Sequence, residues 1–174
     1  LPAKVFWTNV QYLGIAAAPL TWLLFVLCYT GREDLLTSRN LALLLIHPVV
    51  MQIAVWSNPY HLLFRERVWL EVVRGVAFLG NEMGPLFWIH AVYTYSIMLV
   101  GAFILVRRHV YAPRVYRRQG FALLVALVLP WLANIFTLLQ PSVLSYVDLT
   151  PFAFTISGLA FAVALLRYDF LNLV

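Results

Sequence analysis

Charge and cysteine are both scarce in this chain of 174 residues. Only 11% of its residues are charged, against about 25% in an average soluble domain, while 63% are hydrophobic. The single cysteine, Cys28, lies inside an apolar run, which excludes a disulfide framework. The composition therefore indicates a protein embedded in a membrane.

The sequence also lacks the patterns of a catalytic centre. It has no glycine-rich phosphate loop, no Ser, His and Asp in a plausible order, and no paired carboxylates within an apolar segment. We therefore assign it no catalytic residue, no metal and no cofactor. The net charge of +5 comes from 12 basic and 7 acidic residues. Because the basic residues follow a membrane topology, we expect no nucleic acid partner.

Five apolar segments have or approach the length of a transmembrane helix, about 17 to 25 residues. None contains Lys, Arg, Asp or Glu, and they run from Val10 to Tyr29, Leu41 to Ser57, Pro85 to Val106, Gly120 to Leu139 and Pro151 to Leu166. They predict an all-α fold, a polytopic membrane helix bundle, with residues 1–174 as one membrane-embedded domain.

Arginine positions predict the orientation of the bundle. The loop 107–119 holds five arginines, and loops rich in basic residues stay on the cytoplasmic side. With that loop inside, alternation of the spans places the N-terminus outside and the C-terminus inside. The basic residues then divide into eight inside and four outside, the outer ones being Lys4, Arg65, Arg67 and Arg74.

The connection 58–84 lies outside in this topology and mixes apolar with charged residues. Its stretch 62–74 is dominated by apolar side chains, with charges at positions 65, 66, 67, 71 and 74. We expect a short interfacial helix or a hairpin that caps the bundle. Its length alone does not distinguish the two.

Polar side chains within the spans lie at similar predicted depths. At about 1.5 Å per residue, Gln52, His90, Asn134 and Thr155 would each lie roughly 6 to 8 Å below the outer boundary. Aromatic side chains surround this layer: Trp56, Phe87, Trp88, Tyr93, Tyr95, Trp131, Phe152 and Phe154. One interpretation is an outward-opening ligand pocket. The other is an interfacial aromatic belt with ordinary hydrogen bonds between helices.

His47 and His90 are predicted to lie apart. Counting from opposite ends of their spans separates them in depth by well over 10 Å, so they cannot bracket one iron. His47 precedes Pro48 within its span, and a simple role for it is to bond a carbonyl that the proline frees. A metal site of His61, His90 and a carboxylate is conceivable, but the spacing is no metal signature.

Six sequence words, in order, resemble the N-terminal seven-transmembrane region of bacterial histidine kinases, which is also found on diguanylate cyclases. They are residues 29–32, 56–64, 84–90 with Tyr93 and Tyr95, 116–119, 130–131 with Asn134, and 148–151 followed by 154–155 and 157–158. The resemblance covers nearly the whole chain, from Trp7 to Leu171. Where family members often carry a second histidine and an aromatic residue, this chain has Leu62 and Arg65, which counts against a paired-histidine metal site.

The resemblance implies seven spans with the N-terminus outside, so the five spans seen here would be the third to the seventh. The chain would be a fragment that lacks the first two spans and the cytoplasmic output, a kinase or cyclase module. It would not itself be an enzyme, although the full-length protein would be a sensor histidine kinase or a diguanylate cyclase.

We therefore predict a signal-sensing input region of the cytoplasmic membrane, with the lipid bilayer, a small-molecule ligand, the output module and a second copy as partners. The predicted ligand-binding residues form the outer pocket, and the last helix relays the signal through Arg167 and Tyr168. The pocket residues are Trp56, His61, Phe87, Trp88, His90, Tyr93, Asn134 and Thr155. Two rivals stay open, namely a small-solute transporter or channel module and a structural membrane anchor.

Overall fold

The computed structural model describes residues 1–73, 75–110, 124–125, 128–137 and 150–167. Within these ranges, three helices are long and apolar enough to cross a membrane: Pro2–Tyr29, Ser38–Trp56 and Pro85–Arg108. In chain order the elements are α1 (Pro2–Tyr29), α2 (Ser38–Trp56), α3 (Asn58–His61), β1 (Arg65–Val73), β2 (Val76–Met83), α4 (Pro85–Val110), α5 (Val128–Thr137) and α6 (Thr150–Arg167). The predicted all-α membrane helix bundle is confirmed, with a two-stranded sheet added.

Helix α1 begins at Pro2, earlier than the predicted Val10, because helix formation continues into residues that are too polar to count as hydrocarbon-spanning. Its 28 residues make a rod of about 42 Å. It ends in a Schellman motif, in which Gly31 has a φ of 69°. The N–H of Gly31 donates to Cys28 and that of Arg32 donates to Leu27, which satisfies two terminal carbonyls.

Helix α2 returns beside α1 after a short 3-10 turn, Glu33–Leu35. The side chain of Thr37 caps its start by accepting a hydrogen bond from the N–H of Asn40 at 3.2 Å. Near its other end, Gln52 Nε2 donates to the carbonyl of Tyr12 at 2.6 Å. The two helices are therefore antiparallel, and the start of α1 lies beside the end of α2.

The connection between α2 and α4 contains a hairpin, one of the two structures expected there. Strands β1 and β2 are antiparallel, with a bulge between Arg65 and Arg67. Gly75 has a φ of 82°, a conformation that glycine adopts without steric cost in the tight turn. Lys4 Nζ donates to the carbonyl of Ala77 at 2.6 Å and ties the hairpin to the start of α1. We call this end of α1, α2 and α4 the hairpin end.

Helix α4 starts against the turn that precedes the hairpin. The N–H of Gly84 donates to Phe64 at 2.9 Å, and that of Leu86 donates to Leu63 at 3.0 Å. A Cβ on Gly84 would collide with the Leu63 carbonyl, so only glycine permits this close approach. These contacts determine how far α4 is shifted along α2.

The core at the hairpin end is aromatic and aliphatic. Tyr12, Met51, Val55 and Phe64 form a buried cluster, against which Phe87 is partly buried. The rings of Tyr12 and Phe64 meet edge to face, with centroids 5.0 Å apart. This cluster joins α1, α2, the turn and α4.

The chain divides into two compact units, Leu1–Ile104 and Leu105–Val174. The second unit contains α5 and α6, which correspond to described parts of the fourth and fifth predicted spans. Ala153 and Ser157 are four residues apart and buried on one face of α6. Several residues that the sequence interpretation used lie outside the described residues, namely Arg74, Arg114, Arg117, Arg118, Asp148 and Tyr168.

Candidate functional site

A pair of histidines joins α2 to α4 in the interior of the first unit. His47 Nε2 lies 3.2 Å from His90 Nδ1, within hydrogen-bond distance. The two rings are parallel within 2°, with centroids 5.4 Å apart. When both rings are neutral, one nitrogen of the pair donates and the other accepts. Because His90 is only 4% exposed, this contact is shielded from solvent.

The predicted separation of His47 and His90 in depth is wrong. The prediction assumed that the end of α2 and the start of α4 lie at the same depth. In the structure, Phe87 near the start of α4 instead packs on the cluster that contains Met51, five residues before the end of α2. His90 follows Phe87 by one helical turn, and His47 precedes Met51 by one turn, so the histidines meet.

This displacement of α4 along α2 also separates Gln52 from His90, which the prediction placed in one layer. Gln52 lies five residues beyond His47 along α2, or about 7.5 Å nearer the hairpin end. It bonds the backbone of Tyr12 in α1, whereas His90 faces His47. The polar groups of α2 thus lie at two levels.

Tyr93 completes the contact between α2 and α4. Its hydroxyl donates to the carbonyl of Leu44 at 3.0 Å. Leu44 is four residues before Pro48, and a proline lacks the N–H that would bond that carbonyl in a regular helix. The freed carbonyl is thus bonded by Tyr93, and the simple role considered for His47 is wrong. The Tyr93 ring instead stacks on His47, with centroids 3.8 Å apart.

Two buried polar atoms beside this contact remain available for hydrogen bonds. His90 Nε2 and Thr94 Oγ1 have no hydrogen-bond partner among the described residues. They are four residues apart, so both lie on one face of α4. Buried polar groups are normally paired, with protein, water or ligand. This face of α4 is therefore a part of the first unit where a ligand could form new hydrogen bonds.

Phe87 is the aromatic neighbour of this polar face, one turn along α4. Its ring meets Phe64 edge to face at 6.0 Å and Trp88 at 5.4 Å. Trp88 is 50% exposed, and Trp56, which contacts Phe6 at 5.7 Å, is 44% exposed. The structure thus brings Phe87, His90 and Tyr93 together and leaves the two tryptophans on the surface.

His61 has both ring nitrogens engaged in the turn before the hairpin. The N–H of Leu63 donates to Nδ1 at 2.9 Å, and Ser57 Oγ lies 3.1 Å from Nε2. Leu62 between them has a φ of 55°. These bonds give His61 a local role in holding the turn.

Asn134 and Thr155 belong to the second unit, on α5 and α6 respectively. Both are exposed on their helices, and both have interaction partners of their own. Within the described residues, no group of three or more His, Cys, Asp or Glu side chains is placed to hold a metal ion.

The sequence analysis did not predict that His47 contacts His90 or that Arg65 is buried. Pro48 signals the unpaired Leu44 carbonyl that Tyr93 of the neighbouring helix bonds, and it does not signal the contact of His47 with His90. Arg65 was predicted as a charge of the outer connection, yet it is 1% exposed. No local pattern separates it from the exposed Arg67 two residues later.

Long apolar helices and a buried polar contact between two of them define a polytopic α-helical membrane protein. The sequence model described as the N-terminal 7TM region of histidine kinase matches residues 1–174. The chain belongs to this family, which confirms the resemblance and implies a surrounding bilayer and a linked kinase module. This sensor region is not itself catalytic. No curated protein and no solved structure matches the chain significantly.

Proposed function

We propose that this region detects a small extracytoplasmic or membrane-dissolved ligand between its helices and relays binding through the last helix to a cytoplasmic kinase or cyclase module. The supporting observation is the buried face of α4 that carries His90 Nε2 and Thr94 Oγ1 without partners among the described residues. A ligand that bonds these atoms in one arrangement of the helices, and not in another, shifts the balance between the two.

The proposed pocket is centred on the α4 residues Phe87, His90 and Tyr93 of the first unit. The ligand would compete with, or add to, the contacts that α2 makes with α4. The proposed topology places the hairpin end outside and the arginine-rich loop inside, in the cytoplasmic membrane of the cell. The signal would leave through Arg167 and Tyr168, within a homodimer.

Two other functions have less support. A transporter or channel needs polar groups along the whole crossing, whereas α4 is apolar from Ile97 to Val106 apart from Gly101. A passive anchor does not need the buried, unpaired atoms of His90 and Thr94, which are costly in an apolar environment.

The test uses the full-length protein in proteoliposomes, exposed to aqueous and lipid extracts of the organism that produces it. Output is phosphoryl transfer from ATP, or cyclic dinucleotide synthesis for a cyclase. We expect an active extract to change the parent's output at least about threefold, and His90→Ala and Thr94→Val to abolish the response. Ser96→Ala, an exposed position on α4, serves as the matched control and keeps it.

Variants that respond like the parent would exclude the α4 face as the sensing site. Replacing the whole region with an unrelated membrane segment of the same topology tests the anchor. Unchanged regulation in that chimera would support the anchor and contradict sensing. Flux of solute through proteoliposomes would favour a transporter.

A further inference from the structure

Arg65, at the base of the hairpin, is a buried cation. Only 1% of the residue is exposed. Its guanidinium carbon lies 5.2 Å from the ring centre of Tyr12 and 5.7 Å from that of Phe64. Nη1 donates to Asn9 Oδ1 at 2.7 Å. A guanidinium removed from water is costly unless its remaining N–H groups and its charge find partners.

Asn58 holds the backbone from which this side chain projects. Its Oδ1 accepts hydrogen bonds from the N–H groups of Phe64 and Arg65, each at 2.9 Å. Its Nδ2 donates to the carbonyl of Arg65 at 3.0 Å. With the backbone held by Asn58 and Nη1 held by Asn9, the guanidinium is pre-organised.

The opposite edge of the same guanidinium has no partner within the described part of the chain. Arg65 Nε and Nη2 are buried and make no hydrogen bond to any described residue. The N–H groups on this edge point in parallel, the geometry that binds a carboxylate through two bonds. On the hairpin, an exposed ion pair joins Arg67 to Glu82 at 3.6 Å and does not involve Arg65. Burial lowers the pKa of Arg65, while the Tyr12 side chain, which interacts with the guanidinium, acts in the opposite direction.

We propose that the Nε and Nη2 edge of Arg65 binds the carboxylate of a small monoanion with an apolar body. One guanidinium balances one negative charge, whereas a phosphate near neutral pH carries more than one and would leave the excess buried. The aromatic rings of Tyr12 and Phe64 lie beside the guanidinium, so an apolar body suits these surroundings. This site is separate from the α4 face, and its binding is measured without reference to signalling.

The test uses the purified protein and sodium benzoate as the probe. Thermal unfolding is followed in benzoate, in benzamide, its neutral analogue, and in sodium phosphate, each against sodium chloride at equal ionic strength. We expect benzoate at saturating concentration to raise Tm by about 3 °C or more, because a ligand that binds only the folded state stabilises it. Benzamide, which lacks the charge, and phosphate are expected to give less than a third of that shift.

Variants locate the effect. Arg65→Lys keeps the charge but loses the two-bond edge, so we expect the benzoate Kd to rise at least about tenfold. Arg67→Lys, at an exposed position of the same strand, is the matched control and is expected to leave Kd unchanged. Three results would overturn the proposal: equal shifts from benzoate and benzamide, no benzoate shift, or the parent's Kd in Arg65→Lys. A larger shift from phosphate would overturn the monocarboxylate assignment. The comparison of the Tm shifts in benzoate and benzamide uses the parent protein alone, so it remains decisive even if a variant fails to fold.

Discussion

Pro48 creates a hydrogen-bonding need in α2 that Tyr93 of α4 meets. The proline leaves the Leu44 carbonyl without its helical donor, and the Tyr93 hydroxyl donates to it at 3.0 Å. The Tyr93 ring then lies on His47, which pairs with His90. The carbonyl that the proline frees in α2 thus becomes a specific contact point for α4.

Removal of the Tyr93 hydroxyl tests this account. Tyr93→Phe leaves the Leu44 carbonyl unpaired, and we expect it to lower the free energy of unfolding by about 1 kcal/mol. Unfolding is measured in one detergent for the parent and the variant. Tyr60→Phe, at a residue that is 92% exposed, is the matched control and should have no measurable effect.

A double-mutant cycle with Pro48→Ala makes the test specific. Alanine restores the N–H that bonds Leu44 within the helix, so Tyr93→Phe should cost less in that background. If Tyr93→Phe cost the same in the parent and in the Pro48→Ala background, the freed carbonyl would not be the reason for the bond.

The turn between α2 and β1 positions both the hairpin and α4. At the start of the turn, the Asn58 side chain accepts hydrogen bonds from the N–H groups of Phe64 and Arg65. His61 Nδ1 accepts a hydrogen bond from the N–H of Leu63. Gly84 then seats the first turn of α4 against the same segment. A sequence word that resembles other family members at 56–64 is thus accounted for by side-chain to backbone hydrogen bonds.

Gly84→Ala should disturb this element selectively. Its new methyl group would meet the Leu63 carbonyl, a backbone atom that cannot rotate away. We expect a loss of about 2 kcal/mol or more in the free energy of unfolding, as for other overpacked sites.

Gly14→Ala supplies the control for Gly84→Ala. Gly14 lies within α1 with open space where a Cβ would be, and alanine favours the helix, so stability should stay equal or rise. Equal destabilisation by the two substitutions would contradict the close contact at Gly84.

At the scale of the whole molecule, α1 is longer than the bilayer requires. Its length of about 42 Å exceeds a hydrocarbon core of about 30 Å. The hairpin contacts the first turns of α1, where Lys4 donates to the carbonyl of Ala77 and Asn9 accepts from Arg65. The hairpin therefore caps the end of the helices opposite the 3-10 turn.

Cysteine labelling tests the proposed topology. In a Cys28→Ser background, which removes the exposed native thiol, Tyr60→Cys at the hairpin end should react with a membrane-impermeant maleimide on intact spheroplasts. Leu35→Cys, on the exposed 3-10 turn, should react only after permeabilisation. The reverse pattern would invert the orientation inferred from the arginines.

Local chemistry accounts for what could be predicted from the sequence. The apolar runs predicted α1, α2 and α4, and residues 58–84 were recognised as a cap that could be a hairpin. The observed helices extend several residues beyond the predicted apolar spans, because charged and polar residues can continue a helix outside the hydrocarbon core. His90 and Tyr93 were predicted as polar groups within apolar spans, and in the structure both contact α2. Their role in ligand binding stays a prediction.

The sequence by itself determined that this chain is a membrane helix bundle of the histidine kinase 7TM family, since hydropathy and the family's motifs are carried along the chain. Only the tertiary structure decided that His90 meets His47, that Tyr93 bonds Leu44, and that Arg65 is buried. The two contacts between helices depend on how far α4 is shifted along α2, whereas the burial of Arg65 depends on the turn that Asn58 holds and on the contact with Asn9 of α1. Contacts between distant residues, such as Gly84 with Phe64, determine that shift, and helical periodicity cannot encode it.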